Sequence, residues 1–206
     1  QAQEDAGWAH VFSLPREYYL NGAGVLGQRP LSALTRLRTG EPIHARVREA
    51  GERRLASPGH QYEAELTFEG AREKPFGLVL GQSADAREAT RIVYEPATRQ
   101  VVLDKSRSSL RGEDEGPQVI RQAYDLGAYG PPEKWRVFVD GSIVNVFIGD
   151  GAAFSFRLYP KGADSTGILV LNDDGGAVGR GILALPPAPF HYDFSGGTDT
   201  AADRAD

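Results

Sequence analysis

The sequence predicts an all-β domain, a sandwich of two antiparallel sheets with at most one short helix. Three observations carry this prediction. Apolar residues recur at every second position in short β-rich runs, the mark of strands with one buried face. Turn dipeptides such as Asp140-Gly141 and Asp150-Gly151 separate the runs, supplying positive φ where a hairpin needs it. Helical spacing of apolar residues stands out in one place, the leucines Leu31, Leu34 and Leu37 within Leu31 to Arg38.

In chain order, residues 1–7 are polar and read as a linker, residues 8–194 as the sandwich, and residues 195–206 as a small, polar, disordered tail. Trp8 to Leu14 reads as the first extended segment. Gly22, Gly24 and Gly27 spell a literal G-x-G-x-x-G, but Arg29-Pro30 denies the last glycine the helix that a dinucleotide site requires, so a nucleotide cofactor is rejected. Strands follow at Ile43 to Val47, Tyr62 to Phe68, Phe76 to Gly81, Ala89 to Tyr94, Gln100 to Asp104 and Gln118 to Tyr124. Breaks at Ser57-Pro58-Gly59, Glu95-Pro96 and Arg111-Gly112 divide them, and Glu113 to Gly116 reads as a solvated loop. From Trp135 to Pro160 a three-stranded meander forms the centre of the domain: Trp135, Val137 and Val139 share one face, as do Val144, Val146 and Ile148, then Phe154, Phe156 and Leu158. Gly167 to Asn172 and Val178 to Leu185 complete the strands, and Pro186, Pro187 and Pro189 stop regular structure. The expected core is Trp135, Val137, Val139, Phe147, Phe154, Phe156, Leu169 and Leu171.

Composition removes several function classes. A chain of 206 residues with 40% hydrophobic residues can fold around one core, and without cysteine it has neither disulfides, zinc ribbons nor thiol catalysis. Net charge −5 argues against nucleic acid, and the arginines at 46, 48, 53 and 54 are interleaved with Glu49 and Glu52 rather than forming a one-signed stripe. The longest apolar runs are too short for a membrane-spanning helix. His10, His44, His60 and His191 lack metal-ligand spacing, no G-x-S-x-G elbow occurs, and Asp173 to Gly176 reads as a hairpin turn rather than a calcium loop. The expected metal and cofactor set is empty. The polar start at Gln1 is neither signal peptide nor initiator methionine and reads as a processed or excised end.

Three motifs bear a resemblance. Asp140-Gly-Ser-Ile-Val-Asn145-Val-Phe147 with Asp150-Gly151 and Arg157-Leu-Tyr-Pro160, Leu103-Asp-Lys-Ser-Arg-Ser108, and Leu14-Pro15-Arg16-Glu17 with Gln28-Arg29-Pro30 and Leu37-Arg38 occur in that family's order, the last of them first in the chain. Together they resemble the C-terminal β-sandwich of glycoside hydrolase family 32, the invertases, levanases and inulinases. Gly141 stands where that family usually has arginine and Asn145 where it has glutamate. The resemblance implies a concanavalin-like jelly roll, an N-terminal five-bladed propeller as partner, sucrose or a fructan as substrate of the parent enzyme, and an extracellular or periplasmic setting, with the cytoplasm left open. It also implies that the nucleophile and general acid, which a retaining site must hold on either side of the glycosidic bond, belong to propeller motifs that residues 1–206 do not contain. No catalytic residue is therefore assigned here.

What remains is a contact surface towards the propeller: Trp8, Leu14, Pro15, Arg16, Glu17 and Asn145. Asn145 sits among Val144, Val146 and Phe147, so it is either a buried amide with partners or, as preferred here, a residue facing solvent or a domain interface. Trp8 is a candidate to face a ligand or partner domain, whereas Trp135 alternates with core valines. An independent carbohydrate-binding or assembly module is the competing reading, because a fold does not by itself fix a function.

Overall fold

The structure is a computed structural model that describes residues 11–39, 41–69, 73–110, 117–173 and, for their backbone, 177–184. It consists of a two-stranded hairpin and two six-stranded antiparallel sheets. The hairpin pairs β1 (Arg16–Leu20) with β2 (Leu26–Pro30). One sheet runs in the order β12 (Ala152–Arg157), β11 (Ile143–Ile148), β10 (Lys134–Asp140), β5 (Gln61–Phe68), β14 (Ala177–Ala184) and β3 (Ile43–Val47). The other runs β4 (Gly51–Ala56), β13 (Gly167–Asn172), β6 (Phe76–Gln82), β7 (Ala89–Glu95), β8 (Gln100–Arg107) and β9 (Val119–Ala123). Strand periodicity places one face of each sheet inward, and the resulting cluster draws on both. Tyr62, Leu66 and Phe68 of β5, Trp135 and Val137 of β10, and Val144 and Val146 of β11 meet Phe76, Leu78 and Leu80 of β6, Ile92 of β7, and Ile168 and Val170 of β13. Trp135 lies edge-on to Phe68 at 5.3 Å and donates its indole N–H to the Pro132 carbonyl at 2.6 Å, so its one polar atom is satisfied in the core.

The meander forms as its turn chemistry dictates. Asp140 pairs with Ile143 around Gly141-Ser142, with Gly141 at φ 56°, and Ile148 pairs with Ala152 around Gly149-Asp150-Gly151. Gly149 has φ 58° and Gly151 φ 110°, so this loop needs both its glycines. A Cβ on Gly149 would stand 2.3 Å from the Tyr124 hydroxyl, which leaves no room for a larger residue. Asp140 accepts a cross-strand bond from Gln61 Nε2 at 2.9 Å instead of capping its own turn.

Several expectations need correction. Residues 11–15 form no strand, so that part of the expected Trp8 to Leu14 segment is not extended and the first strand among the described residues is β1. The apolar residues of β1, Tyr18 to Leu20, are consecutive, and β2 and β4 carry few, so periodicity does not reveal these strands. The leucine-spaced segment is a 3-10 turn, Ser32–Leu37, and a second helical turn, α1 (Leu126–Tyr129), follows Asp125, whose carboxylate accepts the Gly127 and Ala128 amides as an N-cap. On β13 it is Ile168 and Val170 that enter the main core; Leu169 is buried as expected, but in a small cluster with Val79 and Ala89 on the outer face, and Leu171 is only half-buried. Phe154 and Phe156 pack against the core but remain half-buried, because β12 is an edge strand. The expectations for Trp8, residues 1–7, residues 195–206, the loop 113–116 and most of the 173–176 turn lie outside the described residues.

Candidate interdomain surface

The hairpin β1–β2 lies against the outer face of the meander sheet, at its β11–β12 side. Its approach is backbone to backbone: the Gln28 amide donates to the Gly151 carbonyl at 3.0 Å, and a Cβ on Gly151 would stand 2.5 Å from Gly27 Cα. The turn joining the two strands is fastened by Asn21, which is buried. Asn21 Oδ1 accepts from the Ala23 and Val25 amides, and its Nδ2 donates to the carbonyls of Ala128 at 2.6 Å and Asp150 at 2.9 Å. Tyr19 adds a bond to Asp150 Oδ1 at 2.7 Å, and burial together with that carboxylate pushes the phenol up to about 12.

Arg16 and Asn145, both assigned to the contact surface from sequence, meet here. Arg16 Nη2 donates to Asn145 Oδ1 at 3.0 Å and to the Ser155 hydroxyl, Arg16 Nη1 donates to Gln28 Oε1 at 2.8 Å, and the guanidinium lies 5.6 Å from the Phe147 ring centroid. Ser155 also donates to Asn145 Oδ1 at 2.7 Å. Asn145 is 2% exposed, so the solvent-facing alternative is overturned: the amide is buried beneath the hairpin, with its Oδ1 accepting from Arg16 and Ser155. The same cover explains why Phe147 is buried although it points away from the main core. Glu17 turns to Arg29 at 2.8 Å and accepts the Ser32 amide at 2.9 Å, and the backbone bond, then the Arg29 bond, hold its carboxyl below the usual range. Pro15 is exposed, its carbonyl taken by the Leu31 amide at 3.0 Å, and Leu14 is half-buried.

The segment also exposes large apolar side chains. Phe12 is 97% exposed, Leu20 75%, Tyr18 63% and Leu26 57%. Tyr18 and Leu20 share a strand face by alternation, and Leu26 is the cross-strand partner of Leu20, so three of the four form one patch.

Beside the hairpin, Glu63 on β5 is 1% exposed and held by two guanidiniums: Arg38 Nε at 2.7 Å and Nη2 at 2.6 Å, and Arg136 Nε at 2.7 Å. Burial pushes its carboxyl up, but the Arg38 hydrogen bond and the Arg136 charge outweigh burial and hold it below the ordinary value. A carboxylate so fixed can be neither a proton donor near neutrality nor a free nucleophile. Glu88, fully buried between loops, is saturated in the same sense, accepting from Leu110, Lys161 and Gly162 amides and the Ser165 hydroxyl. The buried carboxylates among the described residues are therefore structural. The sequence reading missed this Arg38–Glu63–Arg136 group; Leu37-Arg38 marked one member, but nothing in the spacing joined it to β5.

Residues 33–183 match the family described as Glycosyl hydrolases family 32 C terminal. The sucrose-6-phosphate hydrolase of Staphylococcus xylosus is 30% identical over 173 residues, covering 82% of this chain and 33% of that protein. The extracellular exo-inulinase of Aspergillus awamori is 27% identical over 166 residues, 75% of this chain and 30% of that protein. The chain thus spans about a third of the curated relatives it matches. Among solved structures, the A. awamori exo-inulinase superposes with a TM-score of 0.68 at 22% identity, over 86% of this chain and 37% of that one. The fructan 1-exohydrolase IIa of Cichorium intybus gives 0.63 at 19% identity, over 90% of this chain and 43% of that one. Identities this low speak for the fold.

Proposed function

The chain belongs to family 32 of the glycosyl hydrolases as a C-terminal domain, and on that premise we propose that it serves a β-fructofuranosidase-type enzyme acting on sucrose, inulin or levan, as a non-catalytic support for an N-terminal five-bladed propeller. The observation that carries this reading is the patch of Tyr18, Leu20 and Leu26 on the hairpin that stands at the head of the described chain. Large apolar side chains held rigidly in water favour a protein partner. The hairpin that presents them is fixed to the sandwich by Arg16, Asn21 and Gly151, so the surface is pre-organised and association need not order it. The extracellular exo-inulinases among the relatives favour an extracellular or periplasmic setting for the parent enzyme.

The test is calorimetric titration of this chain with a separately expressed catalytic domain. Saturable binding that is lost in a Leu20→Asp, Leu26→Asp double variant is expected. Absence of binding by the unaltered chain would instead favour the independent carbohydrate-binding or assembly module.

A further inference from the structure

We propose that the cavity between the β1–β2 hairpin and the outer face of β5 and β10 is a binding site for a phosphate group, free or carried on a sugar. The cavity has a volume of about 370 Å³ and its lining includes Tyr19, Arg29, Glu65, Thr67, Lys134 and Arg136. Its size falls within the usual range for small-molecule sites and leaves space for a sugar ring beside a phosphate. Three cationic side chains thus converge on it with a single carboxylate. That carboxylate, Glu65, is already shared, 3.1 Å from Arg38 and 3.5 Å from Arg136.

Each cation keeps donors to spare. Arg29 commits Nε to Glu17 and rests over the Tyr19 ring at 4.9 Å, which holds its plane while leaving its terminal nitrogens free. Arg136 places Nε and Nη2 on Glu63, which anchors it without using Nη1. Lys134 is exposed and forms no salt bridge among the described residues. Two anchored guanidinium forks and a mobile ammonium suit a doubly charged group with three acceptor oxygens, and the Thr67 hydroxyl can donate to the same group. A neighbouring cavity at the hairpin tip, about 930 Å³, shares Lys134 and Thr67 but is lined by Glu69, Glu133 and Asp150, so an anion is directed to the basic side. Tyr19 and Arg29 lie on the hairpin face opposite to Tyr18 and Leu20, so the site does not rest on the docking role proposed above.

The experiment is calorimetric titration of the chain with inorganic phosphate and with a hexose 6-phosphate, with sucrose as the uncharged control, repeated for Lys134→Gln and Arg29→Gln. Both positions are exposed, and unchanged circular dichroism will confirm that the variants fold. The expected result is saturable binding of both phosphates and not of sucrose, weakened about tenfold or more by each substitution. Tighter binding of the hexose 6-phosphate identifies a phosphate carried on a sugar, and equal binding identifies the free anion. Absence of phosphate binding, or binding that both variants retain unchanged, overturns the proposal.

Discussion

Arg16 and Asn145 lie 129 positions apart in sequence and 3.0 Å apart between Nη2 and Oδ1. This bond joins the hairpin to the meander, and it carries a charge whose partners here, Asn145, Ser155 and Gln28, are all neutral. Asn145→Leu keeps the branched shape but removes the acceptor that both Arg16 and Ser155 use, so it should cost about 1–3 kcal/mol in a urea titration. Asn145→Glu supplies a carboxylate to Arg16 and should be tolerated far better. Equal losses for the two would show that the acceptor is unimportant.

Gly151 and Gly141 both have positive φ, but only Gly151 faces backbone, with Gly27 Cα 2.5 Å from where its Cβ would be. Gly141→Ala should therefore cost only the conformational penalty, about 1 kcal/mol. Gly151→Ala should cost clearly more and loosen the hairpin, seen as faster amide exchange at Gln28. Similar stability losses in the two variants would contradict the close packing.

Ile168 and Leu171 test which face of β13 is the core. Ile168→Ala should destabilise by about 2–5 kcal/mol, and Leu171→Ala by clearly less, since Leu171 is half-buried on the outer face. The reverse order in denaturant titration would invert the sheet assignment.

Glu88 links the loops after β6, β8 and β12. Burial pushes its carboxyl up, but bonds from Ser165, Lys161, Gly162 and Leu110 outweigh that, and the net shift is downward. A carboxyl lowered in the folded state contributes stability that is complete above its unfolded value and is lost as pH falls through the folded one. Glu88→Gln should lower stability at neutral pH and flatten the acid limb of the stability curve below about pH 4. An acid limb identical to that of the unaltered chain would remove Glu88 from this role.

Legibility in the sequence followed periodicity. The meander and β5 were readable because Tyr62, Leu66, Trp135, Val137, Val144 and Val146 recur at even spacing on one strand face, and β13 because it is a short, wholly apolar run ending at a turn. In β13 four consecutive apolar positions, Ile168 to Leu171 after Gly167, gave no alternation, so the choice between Ile168 and Leu169 could be made only by the packed structure. β1 and β2 were hidden because their pairing is fixed by polar contacts, Asn21 to Ala128 and Arg16 to Asn145, which sequence spacing does not encode. Arg16, Glu17, Gln28, Arg29 and Asn145 all stood in the motifs, but nothing in their spacing paired Arg16 with Asn145 across 129 positions.

The most direct measurement is fructose release from sucrose, inulin and levan by this chain alone, by a separately expressed catalytic domain, and by the two mixed. Family cleavage needs an acid and a nucleophile about 5 Å apart, and the buried carboxylates described here, Glu63 and Glu88, are each locked by structural partners. The account predicts no release by the chain alone, and a catalytic domain whose thermal inactivation is slowed by the chain but not by its Leu20→Asp, Leu26→Asp variant. Fructose release by the chain alone, or equal protection by the variant, would contradict it.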